Sequence, residues 1–218
     1  MSPFVVAIDG PAASGKGTLA RRLARRFRLA HLDTGKLYRA TAALLLAAGE
    51  EPADPNAATA AARRIDTGRL DDPVLLSEPV SRASSIVAAI PAVRAALLAL
   101  QRDFAAMPPS PAVGAVLDGR DIGTAICPDA AVKLFVTASQ EARAMRRVRE
   151  LRGHGAAAIY DDVLQDMKER DARDSGRRVA PLAAAPDAVI IDTTALDAEE
   201  VFEQASDLIA RALAAHRR

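Results

Sequence analysis

The chain has 218 residues, enough for one well-buried core with a small insertion and too few for two full-sized domains. Its 29 basic and 28 acidic side chains leave a formal net charge of +1, so there is no global electrostatic footprint for nucleic acid or an anionic membrane, and the expected ligand is small. The N-terminal segment does not read as a signal peptide, no apolar run approaches the length of a membrane span, and a cytoplasmic monomer is expected. The single cysteine, Cys127, excludes an internal disulfide and a cysteine-based metal cage, and is expected to pack in the interior.

In chain order, Phe4 to Asp9 is a short apolar run of the kind a parallel strand covered on both faces requires. Leu19, Ala20, Leu23, Ala24 and Phe27 then recur at helical spacing. Leu37 to Ala48 reads as a second helix closed by Gly49, and Pro52, Asp54, Pro55 and Asn56 mark a loop. The mixed pattern from Ala57 to about Ser85 predicts a small inserted subdomain, approximately residues 50–90. Pro91 opens a helix through Val93, Leu97, Leu100 and Phe104, stopped by Pro108, Pro109 and Pro111. Val113 to Leu117 and Val132 to Val136 are two further strand runs, and Glu141 to Leu151 is a basic helix ending near Gly153 and Gly155. Tyr160 to Arg173 is another helix, Ala188 to Ile191 a fourth buried strand, and Ala198 to Ala215 the terminal helix. Apolar runs alternating with helices predict an α/β fold, a parallel sheet wound on both faces, within one domain spanning residues 1–218.

The segment between the first strand and the first helix reads Gly10, Pro11, Ala12, Ala13, Ser14, Gly15, Lys16, Gly17, Thr18. In that position a glycine-rich string becomes a phosphate cradle, because backbone N–H groups and a helix N-terminus converge on an anion. Gly10 and Gly15 allow the wrapping, and Lys16 places a point charge between the β- and γ-phosphates. Gly17 stands where the strict motif has Ser or Thr, with Thr18 one place later, a variant shared with nucleoside-monophosphate kinases. These nine residues are the predicted ATP-binding loop.

Three further constellations follow. Thr34, Tyr38 and Arg39, just after Asp33, share a spacing of about one helical turn and can face a monophosphate acceptor from one helix start. Asp118, Gly119, Arg120 and Asp121 follow a strand run, at the end of a sheet where open α/β folds bind ligands. From there Asp118 can hold the water shell of a magnesium ion, Arg120 can clamp phosphate, and Asp121 can accept from an amino group, against an ordinary polar turn with an internal Arg–Asp pair. Arg170, Asp174 and Arg177 are expected to leave a helix into a loop ending at Pro181, where they could close over a phosphoryl group. The arginines between Arg143 and Arg152 are expected mostly as a solvated helix face.

Taken together these motifs resemble the bacterial cytidylate kinases, nearly end to end. The resemblance runs through Ile8-Asp9-Gly10-Pro11, the Gly-Lys-Gly-Thr step, Asp33-Thr34-Gly35 with Tyr38-Arg39, Ser85 with Ile90-Pro91 and Arg94, Asp118 to Thr124, and Glu169-Arg170-Asp171 to Val179-Ala180-Pro181. It implies phosphoryl transfer from ATP to CMP or dCMP, with Mg2+ held through the nucleotide phosphates and water, and Thr18 and Asp118 as its candidate protein contacts. It also implies that Ser85, Arg94 and Asp121 read the cytosine edge, that Arg39, Arg120 and Arg177 hold the acceptor phosphate, and that Asp174 and Arg170 hold the sugar and orient a lid at about 150–178. Lys16, Arg120, Arg170 and Arg177 are the expected catalytic residues. The segment between Gly49 and Ser85 reads shorter than the family's acceptor-binding insertion, with fewer strands. Two rivals are a P-loop kinase for another nucleotide or for shikimate, and a GTP-binding switch. The switch needs an Asn/Thr-Lys-x-Asp guanine reader, whereas Asn56, the sole asparagine, precedes Ala57 and none of the four lysines supplies the Thr form.

Overall fold

A computed structural model describes residues 3–153, 155 and 157–216. It divides into two compact units, one of Met1–Leu32 with Ala105–Arg218 and one of Asp33–Phe104. Residues 154 and 156, inside the segment expected as a lid, lie outside the described residues.

The first unit is built on a five-stranded sheet in the order β2-β3-β1-β4-β5. Its strands are β1 (Phe4–Asp9), β2 (Ala30–Asp33), β3 (Gly114–Gly119), β4 (Val132–Thr137) and β5 (Val189–Asp192). β1 runs parallel to both β3 and β4, and β4 parallel to β5. Helices α1 (Lys16–Phe27) and α8 (Ala198–His216) contribute Leu19, Leu23, Val201, Ala205 and Ile209 to one core with Val6, Ile8, Val116 and Leu134. β3 is buried at all six positions, as a strand covered on both faces must be. This is the expected parallel α/β fold.

Two strands depart from expectation. β2 reads Ala-His-Leu-Asp, too short and too polar to stand out as an apolar run, and only its place beside β3 makes it a strand. β5 was expected to be buried, but Val189 and Ile190 are exposed, because the strand lies at the edge of the sheet and Ile191 alone packs inward. Cys127 is half-buried rather than interior.

The remaining helices of the first unit, α6 (Gln140–Gly153) and α7 (Tyr160–Ser175), pack on each other through Ala144, Val148, Val163 and Met167. α7 extends past Arg173, so Arg170 and Asp174 sit on a helix and only Arg177 follows it; the acidic and basic side chains mask a helical period that continues.

The second unit is made of helices α2 (Thr34–Ala47), α3 (Pro55–Ala62), α4 (Glu78–Val87) and most of α5 (Pro91–Ala106). Asp54 caps α3 by accepting from the N–H groups of Asn56 and Ala57, with Pro55 in the first turn. Leu37, Leu45, Ala58, Ala62, Val80, Val87 and Leu97 are buried in this unit. Between Pro55 and Val87 the described residues form helices and two short 3-10 turns, Thr67–Arg69 and Pro73–Leu76. No single described helix is long and apolar enough to cross a membrane.

Candidate active site

The loop between β1 and α1 bends through three residues of positive φ: Gly10 at 151°, Ala13 at 57° and Gly15 at 93°. The two glycines are required for different reasons. A Cβ on Gly10 would lie 2.0 Å from the carbonyl oxygen of Val136, so this glycine is needed where β1 meets β4. A Cβ on Gly15 meets nothing within 4 Å, and only its left-handed backbone calls for glycine. Gly15 is also the N-cap of α1 and supplies no side-chain cap, which leaves the first N–H groups of the helix available to an anion. Lys16 Nζ donates to Pro11 O at 3.1 Å, so the ammonium group bends over the loop it follows.

The register Ile8↔Asp118 and Asp9↔Gly119 brings the end of β3 beside the root of this loop, although more than a hundred residues separate them. Asp118 is buried, and a Cβ on Gly17 would stand 3.6 Å from its Oδ2. Its other oxygen, Oδ1, lies 2.7 Å from His31 Nε2. His31 comes from β2 and carried no sequence signal, since the pairing depends on the sheet order alone. Thr18 Oγ1 accepts from Arg21 at 3.3 Å. Among the described residues no group of three or more His, Cys, Asp or Glu could cage a metal ion. One buried carboxylate against the first turn of the phosphate-loop helix does fit a cation that keeps most of its waters and takes its other ligands from phosphates.

Asp9, the last residue of β1, is 3% exposed and accepts from the N–H groups of Ile122 at 2.7 Å and Gly123 at 2.8 Å. These amides open a π-helical segment, Ile122–Ile126, that Asp121 precedes. Burial pushes the Asp9 carboxyl up to about 6; the two backbone donors oppose it, Asp121 adds to it and Lys16 counters it.

Arg120 does not pair with its neighbour Asp121. Its Nε donates to Asp174 Oδ2 at 2.9 Å, and Arg177 donates to Asp174 Oδ1. Asp174 is 1% exposed. Burial works against its charge, but Arg120, Arg177 and Arg170 overcome that and hold the carboxyl below the usual carboxylate range. The first unit thus gathers Arg120, Asp121, Arg170, Asp174 and Arg177, and keeps two guanidinium groups on one carboxylate.

The helix face expected to be solvated contains two exceptions. Arg143 is buried and fork-bonded to Asp171 at 3.2 and 2.7 Å, with Nη1 also 3.3 Å from Ala12 O in the phosphate loop. Arg146 donates to Thr193 Oγ1 at 2.8 Å and to Thr193 O at 2.5 Å. Thr193, just past β5, lies 3.1 Å from Ser14 O. A cavity of about 400 Å³ opens here, bordered by Gly15, Thr18, Arg146, Arg149, Thr193 and Val201. A one-residue-in-four basic period looks alike whether it faces water or a loop, so these roles were not legible from the chain.

The second unit carries the other expected residues. Thr34 and Tyr38 are buried on α2, and Arg39 Nη1 donates to Leu75 O at 3.2 Å. Arg94 on α5 is 7% exposed, donates to Ala88 O at 3.3 Å, and holds its guanidinium 5.6 Å from the centre of the Tyr38 ring. Ser85 is buried on α4. Within this unit Tyr38 and Arg94 are therefore in contact.

Residues 6–211 match the profile of cytidylate kinases. The cytidylate kinase of Rhodospirillum rubrum is 60% identical over 207 residues, covering 95% of this chain and 97% of that one. That of Methylocella silvestris is 58% identical over 202 residues, 93% and 92% of the two chains, and that of Paramagnetospirillum magneticum 55% over 205 residues, 94% and 97%. A phosphate loop closed by Lys16, a carboxylate beside its helix and an arginine cluster gathered on buried Asp174 at the neighbouring strand end are what a phosphoryl-transfer enzyme needs, and with a match across nearly the whole length the chain belongs to the cytidylate kinase family.

Proposed function

We infer that the protein transfers the γ-phosphoryl group of ATP to CMP and dCMP, giving CDP and dCDP by direct in-line displacement. The observation that carries this reading is the register Asp9↔Gly119, which sets the Lys16 loop beside the strand end bearing Arg120 and Asp121. Phosphoryl transfer asks little covalent chemistry of a protein; positioning and neutralisation of spreading negative charge do the work. In this reading Gly10 to Thr18 cradle the donor phosphates and Lys16 neutralises charge between β and γ. The cavity bordered by Arg146 and Thr193 takes the nucleoside of ATP. Arg120, Arg170 and Arg177 bind phosphoryl oxygens, with Asp174 holding two of these arginines in place and contacting the sugar. Thr34, Tyr38 and Arg39 bind on the acceptor side, Arg39 at its phosphate, and Ser85, Arg94 and Asp121 read cytosine. Mg2+, carried by the nucleotide phosphates and water with Thr18 and Asp118 beside it, supplies charge neutralisation to the transferring group. The segment of residues 150–178 serves as the lid, and the enzyme acts as a cytoplasmic monomer.

Cytosine offers an amino donor where uracil has a carbonyl, so a carboxylate at Asp121 matches CMP and opposes UMP. Buried groups left unpaired by the wrong base cost on the order of 1 to 3 kcal/mol each, which gives roughly 10²-fold discrimination. The test is ADP release measured across CMP, dCMP, UMP, AMP and GMP, with wild type and Asp121→Ala. CMP and dCMP should lead, and Asp121→Ala should erode the CMP-over-UMP ratio by damaging CMP use. Equal use of UMP and CMP by the wild type would remove the base assignment.

A further inference from the structure

The phosphate-loop strand also ends in a group that the reaction itself does not consume. Asp9 directly precedes the anion cradle that begins at Gly10, and spends both carboxylate oxygens on the N–H groups of Ile122 and Gly123. These are the first amides of the Ile122–Ile126 segment, which would otherwise be buried donors without partners. The same turn leaves its own mark on Gly123, where a Cβ would sit 3.2 Å from Lys133 Cδ and 3.4 Å from Asp9 Oδ2. The chain enters this fastened turn directly from Arg120 and Asp121, with Asp121 O accepting from the N–H of Ala125 and of Ile126. The peptide that follows Asp121 is thus held at its carbonyl by the turn and at its N–H by Asp9, which fixes where the backbone carries this side chain.

We propose that Asp9 is a positioning residue for the acceptor side: by clasping Ile122 and Gly123 it sets Arg120 and Asp121, and so governs CMP binding and base choice separately from ATP binding. The proposal rests on the CMP-kinase reading above and deepens it. An ionised carboxylate suits the task because it accepts two N–H donors at once, whereas an amide offers one acceptor and turns a donor toward a donor. Directly before the loop glycine Gly10, it also ties the strand of the donor loop to the turn that follows Arg120 and Asp121.

Asp9→Asn and Gly123→Ala attack the same clasp from its two sides. Each should raise the KM for CMP by roughly tenfold, as expected for a mis-set pair of buried contacts, and lower the CMP-over-UMP ratio. The KM for ATP should stay within about threefold of wild type, and it doubles as evidence that the variant is folded. A role in folding alone would move both KM values together, so a joint rise, or no change in either, overturns the proposal. Hydrogen exchange provides a readout that needs no substrate: amides 122 and 123 should lose protection in Asp9→Asn while the strand amides of β1 and β3 keep theirs. Unchanged exchange at 122 and 123 also overturns it. If the wild type fails to phosphorylate CMP while exchange responds as expected, the activity is misassigned and the clasp stands.

Discussion

Asp9 and Asp174 are both nearly inaccessible in the first unit, 3% and 1% exposed, yet burial leaves them in opposite electrostatic situations. Asp9, at the end of β1, is met by two neutral backbone donors, and its carboxyl is pushed up to about 6 from the ordinary value of 3.8. Asp174, at the end of α7, is met by the Arg120 and Arg177 guanidinium groups, with Arg170 nearby, and stays below the ordinary range. Dipoles soften the cost of burying a charge, whereas full opposite charges reverse it. The strand end near the phosphate loop is therefore held by hydrogen-bond geometry, and the α7 end by charge.

The largest expected effect tests the charge-held region. Asp174→Ala leaves the partly buried Arg120 and Arg177 guanidinium groups without the buried anion they share, and removing one partner of a buried ion pair typically costs about 3–5 kcal/mol of stability. Denaturant melts should show that loss, and a decrease below ~1 kcal/mol would mean that the arginines find another anion. Next comes Lys16→Ala, on the geometry-held side, where turnover should fall ~10²-fold or more, about 3 kcal/mol, with the melting temperature nearly kept. Near-normal kcat in that variant would end the phosphate-loop assignment.

The two aspartates also predict opposite pH signatures. Because the folded value of Asp9 is raised, its contribution to stability is full below about 3.8 and is lost as pH climbs through about 6. Because that of Asp174 is lowered, its contribution is present above 3.8 and disappears as pH falls through the depressed folded value. Stability curves of Asp9→Asn and Asp174→Asn against wild type should therefore diverge in slope over different windows, by at most about 1.4 kcal/mol per pH unit for each group. Parallel curves for both variants would break the comparison. The smallest effect is Gly15→Ala, whose methyl has room but whose φ of 93° disfavours it, for a loss of roughly 1 kcal/mol measured by thermal melts.

Legibility followed the range of the interaction. The Gly10 to Thr18 loop could be read directly because its glycines, lysine and flanking strand and helix are contiguous, and the ends of α1, α5 and α8 follow from local periodicity and prolines. The Asp118 to Asp121 motif was visible as a string, but its partners were not: Asp174 lies 54 residues from Arg120 and Asp9 lies 113 from Ile122. Arg143 and Arg146 were hidden differently, since a basic helix offers several equivalent faces and only packing decides which one is buried.

By itself, then, the amino-acid order determined the alternation of strands and helices, the phosphate loop and the family, because each depends on neighbours along the chain or on motifs long enough to be specific. Tertiary structure alone decided that Ala30–Asp33 is a strand, that Val189 and Ile190 face outward at a sheet edge, and that Asp9 meets Ile122, His31 meets Asp118 and Thr193 meets Ser14. Those outcomes turn on which strand lies beside which, a choice made by burial summed over the whole sheet and not by any one segment's propensity.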